Sequence, residues 1–395
     1  MIELIVCVAL GFGIYLLVRA RGRRDIWRGD APHGEPLTYL NAAMAIRPSV
    51  LGHGVPDGYR HACAFFGVGL IDRTGTLDHG FPVEITDPVP QDFEQAKGPI
   101  APLVTERAEA LVAEARGRGM GLRLLWSGGI DSTCAAVALL EALKGDEGVL
   151  EIAYTDDSVT EYPAFRDLLE SRGARMLKIG RIGEALMDDA LIVTGEHGDQ
   201  LFGSMLAADL STDDLFSPWP SVIEKMMTDK LGKTGAQSAL AYVAPQTQAC
   251  PIPVETAFDW LWWANFSMKW QAVAERMLAP LSPEHREAAR PVLRHFFRTD
   301  DFQRWSLANP DGKIRRDWAS YKYPLKEIIH GATQDARYRD EKVKERSLRA
   351  LLEGRPARAI ALTAGGLLLA QLIDRSILAG APDRSAFEGF ADFGE

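Results

Sequence analysis

The sequence predicts an α/β fold: a parallel sheet with flanking helices, followed by a largely helical C-terminal part. Apolar runs of strand length alternate with stretches of helical spacing between residues 104 and 194. Such alternation is typical of parallel strands joined by right-handed crossovers. Two of the runs end in loops that combine glycines with acidic residues. Because open α/β sheets bind ligands at the carboxyl ends of their strands, these loops are the first candidates for a site.

Each element follows from its local pattern of apolar residues. The predicted strands are residues 122–126, 149–154, 174–179 and 190–194, and the predicted helices are residues 104–118 and 134–140. Residues 205–310 are predicted to be mainly helical. The short apolar groups within residues 65–77 are predicted to be strands joined by turns.

The densest aromatic stretch, residues 258–271, predicts a core helix, because aromatic residues at helical spacing usually pack together. The alternative is the wall of a substrate site, to which Asn265, Lys269 and Arg276 would add polar contacts. Residues 359–373 carry no charge and are short for a bilayer span, so a buried C-terminal helix is expected there.

The loop after the first predicted strand has the sequence SGGIDST, residues 127–133. Its glycines permit a sharp turn, and the helix that follows directs free N–H groups at the loop. A strand, a glycine turn and a helix N-terminus together form an anion site, usually for phosphate. Asp131 would repel a phosphate without an intervening cation, so it is predicted to be a magnesium ligand. The predicted phosphate-binding residues are Ser127, Gly128, Gly129, Ser132 and Thr133.

A second loop, TGEHGDQLFG at residues 194–203, begins at the end of the strand predicted over residues 190–194. Its Asp199 is predicted to share one Mg²⁺ with Asp131, because neighbouring strand ends would bring the two carboxylates together. The first loop does not have the spacing of a Walker A loop, in which a lysine follows the glycines.

The SGGxDS loop resembles that of the ATP pyrophosphatases (the PP-loop superfamily), which cleave ATP between its α and β phosphates. The second loop resembles the SGEGxDELFG segment of the asparagine synthetases. By that resemblance Thr194 and Gly195 would line the AMP moiety and Glu196 would act at the reacting carboxyl. The implied fold is of the adenine nucleotide alpha hydrolase-like, or HUP, type. Two departures from the family segment, His197 and Gln200, suggest altered substrate chemistry.

A basic segment adds candidate cations. Residues 322–328 resemble the KYxLR segment of the asparagine synthetases, and residues 339–346 resemble their RxKE segment, whose lysine reaches the phosphates. Lys344 is the better match and Lys342 is the rival, while Lys322 is a second candidate phosphate contact. Such an ammonium group would stabilise charge on the leaving pyrophosphate. Without the two loops, a solvated charged helix face would be the simpler interpretation.

The resemblance covers residues 100–350 and implies ATP-dependent, AMP-forming amide synthesis with ATP and Mg²⁺. A small-molecule or peptide carboxylate would form an acyl-adenylate, from which ammonia or an amine would displace AMP. The glutaminase domain of the asparagine synthetases is not expected, because Ile2 stands where their nucleophilic cysteine follows the initiator Met. Nitrogen would come from free ammonia, a partner or an acceptor amine. Three alternatives are adenylation of a tRNA base or nucleobase, a non-catalytic nucleotide-binding scaffold, and acyl transfer to a partner's nucleophile.

Composition bears on partners and location. The 395-residue chain has a net charge of −10, so no nucleic acid partner is expected. Its four cysteines are scattered, which indicates a cytoplasmic location. Residues 4–18 lack charge and precede an arginine cluster. Residues 2–18 are therefore either a membrane anchor, with the body on the cytoplasmic face, or a helix buried in the protein or a partner.

The predicted regions are residues 1–29 (apolar helix and arginine cluster), 30–100 (small irregular or β region), 101–350 (synthetase-like domain) and 351–395 (C-terminal helix and tail).

Overall fold

A computed structural model of the protein describes residues 35–46, 54–180, 182–186, 189–279, 281–344, 357–365 and 368–373. The candidate anchor at residues 2–18 and the arginines that follow it lie outside these residues. Among the described helices, none is both long enough and apolar enough to cross a membrane.

The described chain contains strands, α-helices and short 3₁₀ turns. The strands are β1 (Leu37–Leu40), β2 (Gly121–Leu125), β3 (Leu150–Tyr154), β4 (Arg175–Lys178), β5 (Ala190–Thr194), β6 (Leu293–His295), β7 (Ala357–Thr363) and β8 (Leu368–Ile373). The α-helices are α1 (Ala42–Ile46), α2 (Asp57–Phe66), α3 (Ala101–Gly117), α4 (Ile130–Ala142), α5 (Asp156–Glu161), α6 (Pro163–Ser171), α7 (Gly198–Phe202), α8 (Thr212–Phe216), α9 (Trp219–Gln248), α10 (Ala257–Met268), α11 (Trp270–Glu275), α12 (Pro283–Ala289), α13 (Asp300–Ala308), α14 (Tyr323–Thr333) and α15 (Ala336–Glu341). The 3₁₀ turns are Glu94–Ala96, Glu147–Val149, Ile182–Ala185, Met205–Asp209, Pro310–Gly312 and Trp318–Ser320.

Strands β2 to β6 form one parallel sheet in the order β4-β3-β2-β5-β6. The chain runs outward from β2 through β3 to β4 and then returns to place β5 on the other side of β2. Strand order therefore reverses between β2 and β5, and their carboxyl ends flank the crevice in which open α/β sheets bind ligands. The α/β class and all four predicted strands are confirmed. Strand β6 was not predicted, because three residues are too few to show an alternation.

Helix α4 is buried on all sides. Every residue from Ile130 to Leu140 is buried, and the helix contacts both α3 and α14. A helix of this kind fits only inside a protein. Its N-cap is Gly129, which has no side chain to cap the helix, so the first N–H groups remain directed at the loop between β2 and α4.

The mainly helical region that was predicted after the sheet is also confirmed. The aromatic stretch forms α10 and α11 inside the core, which supports the packing interpretation. The tryptophans of α10 with almost no exposure are Trp260, Trp262 and Trp263. Buried Arg73 ties the N-terminal region to these helices: it donates to Gln303 Oε1 at 2.6 Å and to the Phe266 carbonyl at 2.5 Å. Its guanidinium also lies over the rings of Phe266 and Trp270.

Two predictions of secondary structure were wrong, one for residues 359–373 and one for residues 65–77. Residues 359–373 contribute to two antiparallel strands, β7 and β8, instead of a helix. A short apolar run fits a buried strand as well as a buried helix. Pairing decides the outcome here, because β7 also pairs with β1, with Leu37 opposite Thr363. The small β1-β7-β8 sheet therefore joins the N-terminal region to the C-terminal segment.

Residues 65–77 do not form the expected strands. Helix α2 ends at Phe66, and Gly67 closes it in the left-handed conformation with a φ of 66°. The backbone N–H groups of Thr74, Thr76 and Leu77 then donate to the Asp72 carboxylate. These N–H groups are satisfied locally and do not pair with a neighbouring strand.

Candidate active site

The two glycine-containing loops meet at the ends of β2 and β5. A Cβ added to Gly195 would lie 2.6 Å from the Ser132 backbone nitrogen, and one added to Gly198 would lie 2.2 Å from Asp131 Oδ1. Contacts this short do not occur, so both positions require glycine. The glycines of the second loop therefore allow its backbone to lie directly against the first loop.

The first loop is shaped by hydrogen bonds among its own residues. Gly128 has a φ of 81°, and a Cβ there would lie 2.5 Å from the Ser158 carbonyl oxygen. The Ser127 N–H donates to Ser132 Oγ at 3.1 Å, and the Gly129 N–H lies 3.3 Å from Ser127 Oγ. Ser127 is exposed while Ser132 is buried. The loop is a compact turn in which the Ser127 side chain remains exposed while its hydroxyl contacts Gly129 and Ser132.

Two threonines that were expected to contact the nucleotide direct their hydroxyls into the protein. Thr133 Oγ1 accepts from Trp126 Nε1 at 3.0 Å. Thr194 Oγ1 lies 2.7 Å from His295 Nδ1 and accepts from the Glu196 N–H at 3.2 Å. Both residues are buried. Their hydroxyls therefore hold the loops in shape, and only their backbones remain for a ligand.

The centre of the site is a buried lysine between two carboxylates. Lys322 Nζ donates to Asp131 Oδ2 at 2.5 Å and to Asp199 Oδ1 at 2.6 Å. The Lys322 side chain is 0% exposed, and those of Asp131 and Asp199 are 12% and 27% exposed. Tyr321 adds a hydroxyl 3.3 Å from Asp199 Oδ1. The two acids predicted to be neighbours are brought together, and Lys322 joins them.

The two carboxylates differ in their electrostatic environment. Burial raises the pKa of Asp131 above its ordinary value, and the nearby ammonium groups of Lys322 and Lys344 offset this only in part. Burial also acts on Asp199, but there the same two lysines prevail and hold its pKa well below the ordinary value. Asp199 is therefore the more firmly ionised member of this pair.

Lys344 faces the acid pair, and Lys342 faces the glycine loop. Lys344 Nζ lies 3.9 Å from Asp131 Oδ2 and 3.8 Å from Asp199 Oδ2. Burial would lower the pKa of Lys344, but Asp199 and Asp131 together raise it, so the amine stays charged. Lys342 Nζ instead contacts Glu161 Oε1 at 3.0 Å, beside Gly128. The geometry thus distinguishes two lysines that the sequence left as rivals.

Glu196 lies at the entrance to this centre and pairs with Arg276. The Glu196 side chain is 20% exposed and that of Arg276 is 41% exposed, so both reach solvent. Gln200, in contrast, is buried and donates to Asn265 Oδ1 at 3.2 Å. Asn265 donates in turn to the Asp199 carbonyl. Gln200 therefore supports the backbone of Asp199 and does not face the carboxylates.

Two histidines lie behind the second loop: sequence reasoning missed His295 and noted His197 only as a departure from the family segment. His295 lies at the end of β6 and bonds both Thr194 and the Ala274 carbonyl. Burial lowers its pKa to about 4. His197, with a φ of 73°, contacts the Trp270 carbonyl, and burial holds its pKa well below the ordinary value. No local signal identifies such residues, because their role depends on a strand almost 100 positions away.

The acid pair fits magnesium only as part of a nucleotide complex. Within the described ranges, no group of three or more His, Cys, Asp or Glu side chains could hold a metal ion. Mg²⁺ sites in proteins that bind phosphates nevertheless usually combine one or two carboxylates with the phosphates themselves. Asp131 Oδ1 is buried and has no hydrogen-bond partner in the described part of the chain. An unsatisfied carboxylate oxygen of this kind fits a cation that obtains its other ligands from a bound molecule.

Most of the predicted site residues thus converge on the crevice between β2 and β5. Asp131, Asp199, Lys322 and Lys344 form its charged centre, and Glu196 borders it. A function has to be argued from these residues themselves, since no protein-family model matches the chain and no curated protein matches it significantly.

Proposed function

We propose that this protein is an ATP-dependent, AMP-forming amide synthetase of the asparagine synthetase type. One observation carries the proposal: a glycine loop, an acid pair and two lysines meet where the strand order of a parallel sheet reverses. That position is where open α/β sheets bind nucleotides. On this proposal the sheet is of the adenine nucleotide alpha hydrolase-like, or HUP, type.

The loop after β2 would receive the phosphates of ATP. Its helix N-terminus and the hydroxyl of Ser127 are donors suited to phosphate oxygens. Asp131 and Asp199 would hold Mg²⁺, which when bound neutralises charge on the phosphates. Lys344 lies within 4 Å of both carboxylates and would stabilise the charge that develops on the leaving pyrophosphate.

The reaction would proceed in two displacements. An oxygen of the substrate carboxylate attacks the α-phosphorus, and the bond from that phosphorus to the bridging oxygen breaks, releasing pyrophosphate. The nitrogen of ammonia or an amine then attacks the acyl carbon, and AMP leaves with its phosphate oxygen. Glu196 borders the acid pair and would accept the proton that the nitrogen loses. Arg276 would orient Glu196 through their ion pair.

The substrates would be a small-molecule or peptide carboxylate and an amine or ammonia, and the location would be cytoplasmic. The test is formation of AMP and pyrophosphate from ATP and Mg²⁺ in the presence of pooled carboxylates, with and without ammonia or pooled amines. We expect AMP to form only when a carboxylate pool is present. Splitting the active pool then identifies the substrate.

A matched pair of variants separates chemistry from folding. Lys344→Ala should lower AMP formation by about 100-fold or more. Lys313→Met removes a different buried lysine, which lies away from the acid pair, and should retain AMP formation. The Nζ of Lys313 donates to the Ser306 carbonyl at a distance of 2.7 Å. AMP formation that required tRNA, or that survived Lys344→Ala unchanged, would contradict the proposal.

A further inference from the structure

Lys322 occupies the space that a cation shared by Asp131 and Asp199 would need. Its Nζ bonds one oxygen of each carboxylate, at 2.5 Å and 2.6 Å, and its side chain has no exposure to solvent. Magnesium binds carboxylate oxygens at about 2.0–2.1 Å, so it cannot occupy this position while the ammonium is present. A lysine and a metal ion are therefore alternatives at these two oxygens.

We propose that Lys322 is an internal counterion that excludes divalent metal ions from the acid pair until the phosphates of ATP are bound. The inference rests on the proposed function, because it takes the nucleotide to be the ligand that arrives with the metal. It adds an order to the binding: the free protein binds metal weakly, and nucleotide and metal bind together.

Two features support the exclusion. First, two carboxylates placed side by side away from water are costly without a compensating cation, and Lys322 supplies that cation in the free protein. Second, the protein offers a metal few ligands of its own: the described residues contain no cluster of three or more metal-binding side chains around the pair. A metal ion would have to displace an existing ion pair and gain only two carboxylates in return.

The phosphates of a nucleotide change this balance. They offer Mg²⁺ additional oxygen ligands and offer the displaced ammonium of Lys322 a new anionic partner. Asp131 Oδ1, which has no partner among the described residues, can then become a ligand. Lys344, at 3.8–3.9 Å from the same carboxylates, lies beyond hydrogen-bond distance and excludes metal less directly.

The test measures binding of Mn²⁺, as a spectroscopic substitute for Mg²⁺, by electron paramagnetic resonance at pH 8. The full-length protein is compared with Lys322→Met and Lys344→Met, each with and without α,β-methylene-ATP. Without nucleotide, Lys322→Met should bind Mn²⁺ at least about tenfold more tightly than the parent, because an opposing charge has been removed. Lys344→Met should show a smaller gain. The parent should bind Mn²⁺ tightly only with the analogue.

If Lys322→Met does not fold, the parent protein alone still provides the test. Equal Mn²⁺ affinity of the parent with and without the analogue would overturn the inference, and so would a folded Lys322→Met that binds Mn²⁺ no more tightly than the parent. Either result would leave the proposed function standing, because that function is read separately as carboxylate-dependent AMP formation. If AMP formed with none of the carboxylates, in contrast, the proposed function would be contradicted, but the inferred order of metal binding would not.

Discussion

At the scale of residues, the contacts of Lys342 and Lys344 indicate different roles. Lys344 approaches both carboxylates of the acid pair, and Lys342 pairs with Glu161. Lys344→Ala should therefore lower kcat for AMP formation by about 100-fold or more, the usual effect of removing a group that stabilises transition-state charge. Lys342→Ala should reduce it less and should mainly raise KM for ATP. Steady-state kinetics of both variants would test this, and equal losses of kcat would contradict the assignment.

The buried His295 makes stability depend on pH. Burial lowers its pKa from 6.5 to about 4, so between these values the unfolded chain binds a proton that the folded protein does not. The free energy of unfolding should therefore fall as the pH is lowered, by about 2 kcal/mol between pH 7 and pH 5 from this group.

The matching control is His295→Gln, which cannot titrate. Denaturant unfolding of the parent and the variant at pH 7 and pH 5 gives the difference directly, since the other titrating groups are common to both proteins. The parent should lose more stability than the variant on acidification. Parallel pH profiles would show that the pKa of His295 does not differ between the native and unfolded states.

At the scale of elements, the second loop depends on its glycines for contact with α4. A methyl group at Gly195 would lie 2.6 Å from the Ser132 backbone nitrogen, and backbone cannot move aside as a flexible side chain can. Gly195→Ala should separate the loops and cost about 1–3 kcal/mol of stability, together with most of the AMP-forming activity. Gly331→Ala is the control, because nothing lies within 4 Å of a Cβ there.

Gly331 lies inside α14, where alanine should stabilise the helix by up to about 1 kcal/mol without affecting the site. Thermal unfolding and AMP formation are measured for both variants. If Gly195→Ala behaved like Gly331→Ala, close contact of the two loops would not be needed for the site.

Helix α14 also links the segments that carry the two site lysines. Buried Lys326 lies one turn after Lys322 and donates to the Ala319 carbonyl at 2.6 Å and to the Lys342 carbonyl. Lys326→Met should free residues 342–344 from the helix, so amide hydrogen exchange there should rise and kcat should fall. Lys313→Met is again the control, since its buried ammonium also bonds backbone carbonyls. Unchanged exchange at residues 342–344 would rule out this link.

At the scale of the whole molecule, the sequence predicted what depends on local pattern. The apolar runs identified β2 to β5, and their glycine loops identified Asp131 and Asp199. It could not predict β6, which is three residues long, or the β1–β7 pairing, which joins residues more than 300 positions apart. Periodicity carries no information about such distant partners.

The same limit applies within the site. The sequence indicated Lys322, Lys342 and Lys344 but not which of them lies between the carboxylates, because that depends on how α14 packs against α4. It gave no sign of His295, whose contact with Thr194 exists only because β6 pairs with β5. Residue type and spacing identified candidate site residues, whereas tertiary packing determined how they are arranged.

If the crevice between β2 and β5 forms an acyl-adenylate, that step is reversible and can be followed as isotope exchange between pyrophosphate and ATP. Labelled pyrophosphate is supplied with ATP, Mg²⁺ and the carboxylate pool that supports AMP formation, with no amine present. The parent should exchange label into ATP only when the carboxylate is present, and Asp199→Asn should exchange at least about 100-fold more slowly. Absence of exchange with every carboxylate pool, or equal exchange in Asp199→Asn, would contradict the account.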